Sequence, residues 1–261
     1  MRYWSARRSK RADRRRRSAE TRGNSGCTRG VDHSPGSRRR RSVIPSFQQQ
    51  VDQLVTLGYP GLAGMSETGF RALVEPLRDV ATAITQAETA GADSSAHAAF
   101  VLVVTREIVP PESTVPLLRL WGARRPGSKP GRVDRNHGEG DLANYHPIEG
   151  CEPPAAAYLL VDVERGEEFC NVRPKEASSV VRGRGRSQLT IDEGIALVTQ
   201  LPQLLEKNKC FMLAGSRRSG IAGDRRVPAM WISERAPKLG WCWDGNPHTW
   251  LGMASAGRRI A

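Results

Sequence analysis

The chain has 261 residues, a net charge of +13 and an isoelectric point near 10.3, a balance that ordinarily points to nucleic acid or an anionic membrane as partner. The charge is concentrated: residues 1–42 hold 15 Arg and Lys against three Asp and Glu, and the remainder holds 25 against 24. The part rich enough in apolar residues to fold is therefore close to neutral, which argues against a polyanion-binding face on it.

Residues 1–42 form an Arg-, Ser- and Gly-rich tail with almost no aliphatic side chains. Such a segment buries too little apolar surface to offset its conformational entropy and is expected to be disordered. No apolar run follows Arg14–Arg17 or Arg38–Arg41, which argues against an export signal. Three readings stay open: a basic arm holding nucleic acid through phosphates, an inert extension, or leader sequence ahead of a start at Val43 or Val51. Nucleic acid is a candidate partner only through this tail. No apolar run approaches membrane-spanning length, the longest being Ala98–Val104. The five Cys are odd in number, widely spaced and lack a C-x-x-C, which fits free thiols in a cytoplasmic protein.

Residues 43–261 are expected to form a single α+β domain. Phe47, Val51, Leu54 and Val55 recur at helical spacing and stop at Gly58-Tyr59-Pro60. Ser66 reads as the N-cap of a second helix carrying Phe70, Leu73, Val74, Leu77, Val80, Ala81 and Ile84, with a kink or a helix junction at Glu75-Pro76. Residues 85–95 read as a fraying end and linker. Ala99–Thr105 has a buried-strand pattern, and Thr114–Trp121 is either a short strand or an irregular packed segment. Residues 122–156, rich in Gly, Pro, Asp and Asn, predict a long loop of the kind that carries function. Ala157–Val163 is a strand, with Glu168–Val172 its candidate hairpin partner. Thr190-Ile-Asp-Glu193 is a capping box opening a helix with Ile195, Val198 and Leu201 inward. Cys210–Ala214, Val227–Ser233 and Gly240–Trp243 are strand candidates. The expected architecture is N-terminal helices, one capped central helix and a mostly antiparallel sheet with a β-rich C-terminus.

The stretches QVDQLVTLGYPGLAGMSETGFRALVEPLR (50–78), VDRNHGEGDL (133–142), YLLVDVERGEEFCNVRP (158–174) and PKLGWCWDGNPHTWLGMAS (237–255) resemble a mainly actinobacterial domain-of-unknown-function family over roughly residues 45–258. The resemblance implies a bacterial, single-domain, cytoplasmic protein whose domain begins near residue 47. It implies no activity, cofactor or catalytic residue.

Within the long loop, His137, Glu139 and Asp141 would alternate onto one side of an extended chain, with glycines between them. One imidazole and two carboxylates suit a divalent metal that activates water. Without metal, His137 would be a base oriented by a carboxylate. The plainer alternative is a polar surface loop built for turn geometry. His137-x-Glu139 also matches the start of a zinc-deaminase motif, but no P-C-x-x-C follows. A thiol nucleophile has no His at a telling distance, and Cys242 between two Trp reads as a small buried hydrophobe.

Arg182, Arg184, Arg186, Arg217 and Arg218 could hold a phosphate or an acidic ligand, or form solvated basic turns; neither standard nucleotide loop is present. The C-terminal stretch LGWCWDGNPHTWL places Trp241 and Trp243 on one face of a strand, with Asp244-Gly245 turning the chain back into a hairpin. These rings are either a core wall or a stacking platform. Asn246 and His248 are expected at an exposed tip, with His248 a second candidate catalytic imidazole. The leading reading is a domain that binds a ligand or partner through Arg184, Arg186, Arg217, Trp241, Trp243 and Asn246. The alternatives are a hydrolase using the 134–146 loop and a nucleic-acid-associated protein. No motif specifies a cofactor.

Overall fold

A computed structural model describes residues 44–88, 96–122 and 129–261. The Arg-rich tail of residues 1–42 lies outside the described residues, as do residues 89–95 of the expected linker and 123–128 of the long loop. No helix among the described residues is long and apolar enough to cross a membrane.

The chain opens with helices α1 (Phe47–Thr56), α2 (Tyr59–Leu62), α3 (Glu67–Val74) and α4 (Arg78–Glu88). Ser46 caps α1 in a full capping box with Gln49, and the Ser66 hydroxyl accepts from the Gly69 amide at 3.1 Å to start α3. Pro76 has no amide hydrogen to donate, so the expected junction is realised: a 3-10 turn, Glu75–Leu77, separates α3 from α4. Strand β1 (His97–Val104) follows. The segment read as a strand or irregular packing is irregular, a short helix α5 (Pro111–Thr114) and a 3-10 turn.

The long loop is more ordered than expected. It contains β2 (Arg132–Val133), a 3-10 turn at Asp141–Asn144 and β3 (Tyr145–Pro147). Next come β4 (Ala157–Glu164), α6 (Pro174–Gly183), β5 (Ser187–Gln188) and α7 (Ile191–Gln200). The chain ends in β6 (Cys210–Met212), β7 (Ser216–Arg218), β8 (Arg226–Ser233), β9 (Ala236–Trp243), β10 (Leu251–Met253) and β11 (Ser255–Ile260).

Two expectations are corrected here. Glu168–Val172 does not pair with β4; residues 167–169 form a 3-10 turn, and β4 instead pairs antiparallel with β1 and β11. Nor does Asp244-Gly245 make a hairpin. It is a turn, but the strand after it, β10, runs parallel to β6 on the far side of the second sheet. The real hairpin joins β8 to β9 through Glu234 and Arg235, both with positive φ (52° and 64°). That geometry normally selects Asn-Gly, so the sequence carries no signal for it.

The strands form a sheet ordered β1-β4-β11-β5, a second ordered β10-β6-β8-β9-β2 and a ribbon of β3 with β7. Phe100, Leu102, Leu159 and Val161 of the first sheet face Phe47, Val51, Leu54, Phe70 and Val74 of the N-terminal helices. Its other side, with Val101, Tyr158 and Leu160, packs in one core with α7 and the second sheet. The alternation along β4 shifts by one at Asp162, whose left-handed backbone (φ 57°) leaves Val161 and Val163 in opposite cores. Gly257 on β11 makes room for this, because a Cβ there would lie 2.8 Å from an Asp162 carboxylate oxygen.

Helix α7 is buried all round apart from Asp192, the mark of a helix enclosed by neighbouring layers. Gly194 lets Leu213 approach it, since a Cβ would meet Leu213 Cδ2 at 2.4 Å. Its capping-box residue Glu193 accepts from the Thr190 amide (2.7 Å), the Tyr158 hydroxyl (2.7 Å) and the Arg259 guanidinium (2.5 and 2.9 Å). Burial works against the Arg259 charge, but Glu193 beside it outweighs that and raises the arginine's pKa.

Arg259→Met leaves Glu193 as an uncompensated buried charge and is expected to cost about 3–5 kcal/mol in urea unfolding, with part recovered by adding Glu193→Gln. A loss below about 1 kcal/mol in the single variant would show that the pair does not hold the strand to the helix.

Candidate functional site

The 134–146 segment is held at the edge of the second sheet by its own backbone. The Asp134 amide donates to Leu239 O (2.7 Å), extending the β2–β9 pairing, and its carboxylate takes Lys238 Nζ (3.1 Å) and the Asn136 amide (2.9 Å). Burial alone would raise the Asp134 pKa, but the Asn136 amide and Lys238 bring it below the usual carboxylate value. The chain then turns, with the His137 amide on Asp134 O at 2.9 Å.

This turn is why His137, Glu139 and Asp141 do not line one side of an extended chain. His137 and Asp141 meet across the bend, Nδ1 to Oδ2 at 3.1 Å, while Glu139 lies exposed between them. The second Asp141 oxygen accepts from Arg218 Nε at 2.8 Å. Among the described residues no group of three or more His, Cys, Asp or Glu could hold a metal ion, so the expected three-ligand set is not assembled. Burial pushes Asp141 up, yet hydrogen bonds from Arg218 and His137 hold it below the ordinary carboxylate range.

The His137 side chain is fully enclosed (0% exposed) and stands edge-on to Tyr145, ring centroids 5.3 Å apart. Among the described residues, neither His137 Nε2 nor the Tyr145 hydroxyl has a hydrogen-bond partner. Burial, and then the Asp141 charge, push the Tyr145 pKa up to about 12. Arg106 secures the group from below. It pairs with Asp192 of α7 at 2.7 Å and donates to Leu142 O (3.1 Å) and Tyr145 O (2.9 Å). Arg106 and Arg218 lie far from the loop in sequence, so only the fold identifies them.

Trp241 meets this loop directly, donating from Nε1 to Asn136 O at 3.4 Å. Its ring lies 4.9 Å from that of Trp243 and under the Arg226 guanidinium at 5.5 Å. Arg226 is itself forked onto Asp224, at 2.6 Å for the shortest contact. Trp243 is 47% exposed and Trp241 half-buried. On the opposite side of β9, Cys242 is buried and its thiol pushed up to about 12 by burial, which makes it a core residue.

The tip residues go elsewhere. Asn246 is exposed, and half-buried His248 accepts from the Asn171 amide through its carbonyl (2.7 Å) and packs on Trp250 at 5.5 Å. Burial lowers the His248 pKa. The contacts of His248 share no residue with those of His137, so the two imidazoles are not brought into one constellation. Arg184 and Arg186 are committed within the fold. Arg184 pairs with Glu168 over the Phe169 ring, and Arg186 holds Asp162 and the Ser255 hydroxyl. Arg217 is half-buried on β7, with Nη1 donating to Ala214 O at 2.7 Å and Ser216 O at 3.1 Å.

Because Asp141 is held below its unfolded pKa, its contribution to stability is present above about pH 4 and is lost as pH falls through the folded value. Asp141→Asn should therefore cost about 1–3 kcal/mol at pH 7. The gap to wild type should narrow in urea melts below about pH 4. A gap independent of pH would contradict the assigned Asp141–Arg218 pairing.

No curated protein and no solved structure matches the chain. A family described as a family of unknown function, DUF5701, matches residues 53–261. That span begins within α1 and takes in the other helices, both large sheets and the whole His137–Trp241 neighbourhood, and the chain belongs to this family.

Proposed function

We propose that this is a ligand-binding domain of the cytoplasm whose recognition surface is the Trp241–Trp243 face of β9, and that the ligand presents a ring. The observation that carries this is the solvent-facing Trp243 ring, edge-on to a Trp241 that is fixed by Asn136 and Arg226. An exposed indole braced edge-on by a fixed neighbour presents an apolar ring face with little entropy left to lose on binding. The cytoplasmic part of the reading rests on cysteines 151, 170, 210 and 242 being free.

A second reading, a hydrolase with His137 as base, is favoured by one feature. Asp141 orients Nδ1, and Nε2 has no partner among the described residues. The imidazole is enclosed, however, with no exposed surface for a substrate to reach. The binding reading therefore ranks first.

Trp243→Ala removes a largely surface side chain, so its melting temperature should stay close to wild type. Its affinity for adenosine, or for methyl β-glucoside as a sugar probe, should fall about 10- to 100-fold in fluorescence titrations, the worth of one stacked ring. Equal affinity in the variant, or binding of neither probe by wild type, would overturn the reading.

A further inference from the structure

Among the described residues, the buried and half-buried arginines outside the N-terminal helices have carboxylate partners. Arg106 has Asp192, Arg165 has Glu167 and Glu206, Arg186 has Asp162, Arg218 has Asp141, Arg226 has Asp224 and Arg259 has Glu193. Arg217 is the exception. It projects from β7 on the side away from Arg218, and its Nη1 donates to Ala214 O (2.7 Å) and Ser216 O (3.1 Å). Its Nε and Nη2 have no partner among the described residues, and no carboxylate pairs with it. Asp244, the acid whose field reaches it, is held by Arg225 at 2.7 Å. The Cys242 and Cys151 thiols and the positive charge of Arg182, exposed in the last turn of α6, are near enough to bear on its own charge. Burial lowers the Arg217 pKa, and no paired carboxylate offsets it as one does for the other half-buried arginines.

The uncommitted edge is the informative one. Nε–H and Nη2–H lie side by side on the guanidinium and match two oxygens of one carboxylate or phosphate group. With Nη1 tied to two carbonyls, the side chain is already oriented, so an anion would gain a forked contact at little entropic cost. We infer that the Nε–Nη2 edge of Arg217, with Arg182 at its rim, is the receptor for an oxyanion group of a small ligand, seated between β7, the end of β9 and the end of α6. The site is independent of the Trp241–Trp243 face. β7 turns Arg218 toward Asp141 and Arg217 away from it, and Cys242 beside Arg217 lies on the opposite side of β9 from the tryptophans.

The test is thermal unfolding and calorimetric titration of the full chain with inorganic phosphate and, separately, acetate, against chloride at matched ionic strength. Wild type should show saturable stabilisation by at least one of the two, and which one identifies the oxyanion class. Arg217→Lys keeps the charge but loses the fork and should weaken that binding at least about tenfold. Arg182→Gln, at an exposed position, should weaken it severalfold with an unchanged melting temperature in chloride, and decides the matter if the Arg217 variant fails to fold. Trp243→Ala should bind the anion as wild type does. The inference is overturned if neither anion stabilises wild type saturably, or if Arg182→Gln and a folded Arg217→Lys bind as wild type does.

Discussion

The Glu193 carboxylate is the point on which the rest of the structure hangs. It is fully buried, and it closes the N-terminus of α7 while accepting from Tyr158 on β4 and Arg259 on β11. A carboxylate in that position must be satisfied on all its lone pairs or it destabilises the fold. Satisfying it fixes three things together: where α7 begins, how it sits on the first sheet, and which register β11 takes beside β4. Asp192, the next residue back, then holds Arg106, and Arg106 holds the carbonyls of Leu142 and Tyr145. The capped end of one helix thereby positions the 134–146 segment, and that segment in turn supplies the Asn136 carbonyl that fixes Trp241.

The candidate surface inherits its order from this chain of contacts. β9 is enclosed on its Cys242 side and open where Trp243 stands, so the indoles rest on a packed strand and not on a mobile loop. The buried His137–Asp141–Arg218 group stiffens the wall next to them. Among the described residues its His137 Nε2 and Tyr145 hydroxyl find no partner, and buried groups of this kind commonly hold an ordered water.

Much of the fold was legible because its signals are local. Ser46, Ser66 and the Thr190–Glu193 box announce helix starts, Pro76 announces a junction, and the aliphatic runs at 98–104 and 157–163 announce buried strands. What escaped depends on partners distant in sequence. Nothing local marks Ser255–Ile260 as a strand, yet it is an inner strand of the first sheet, where Glu193 neutralises Arg259. The Glu234-Arg235 turn lacks the residues its backbone favours. α6 could have been found from Pro174 at its first turn and the spacing of Ala177 and Val181. At the site, the pairing of His137 with a carboxylate could be anticipated, but its enclosure could not. Burial is set by Tyr145, Arg106 and Arg218, which the loop's own spacing does not mention. Arg184 and Arg186 looked free only because Glu168 and Asp162 are brought to them by the fold.

The most direct measurement is a proton–nitrogen correlation spectrum of the tryptophan indoles during titration with the ring-bearing probe that binds. The account predicts that the Nε1–H peaks of Trp241 and Trp243 move together and saturate, while those of Trp231 and Trp250, which pack on each other with centroids 6.1 Å apart, stay in place. Peaks that move at Trp231 and Trp250, with Trp241 and Trp243 unchanged, would contradict it.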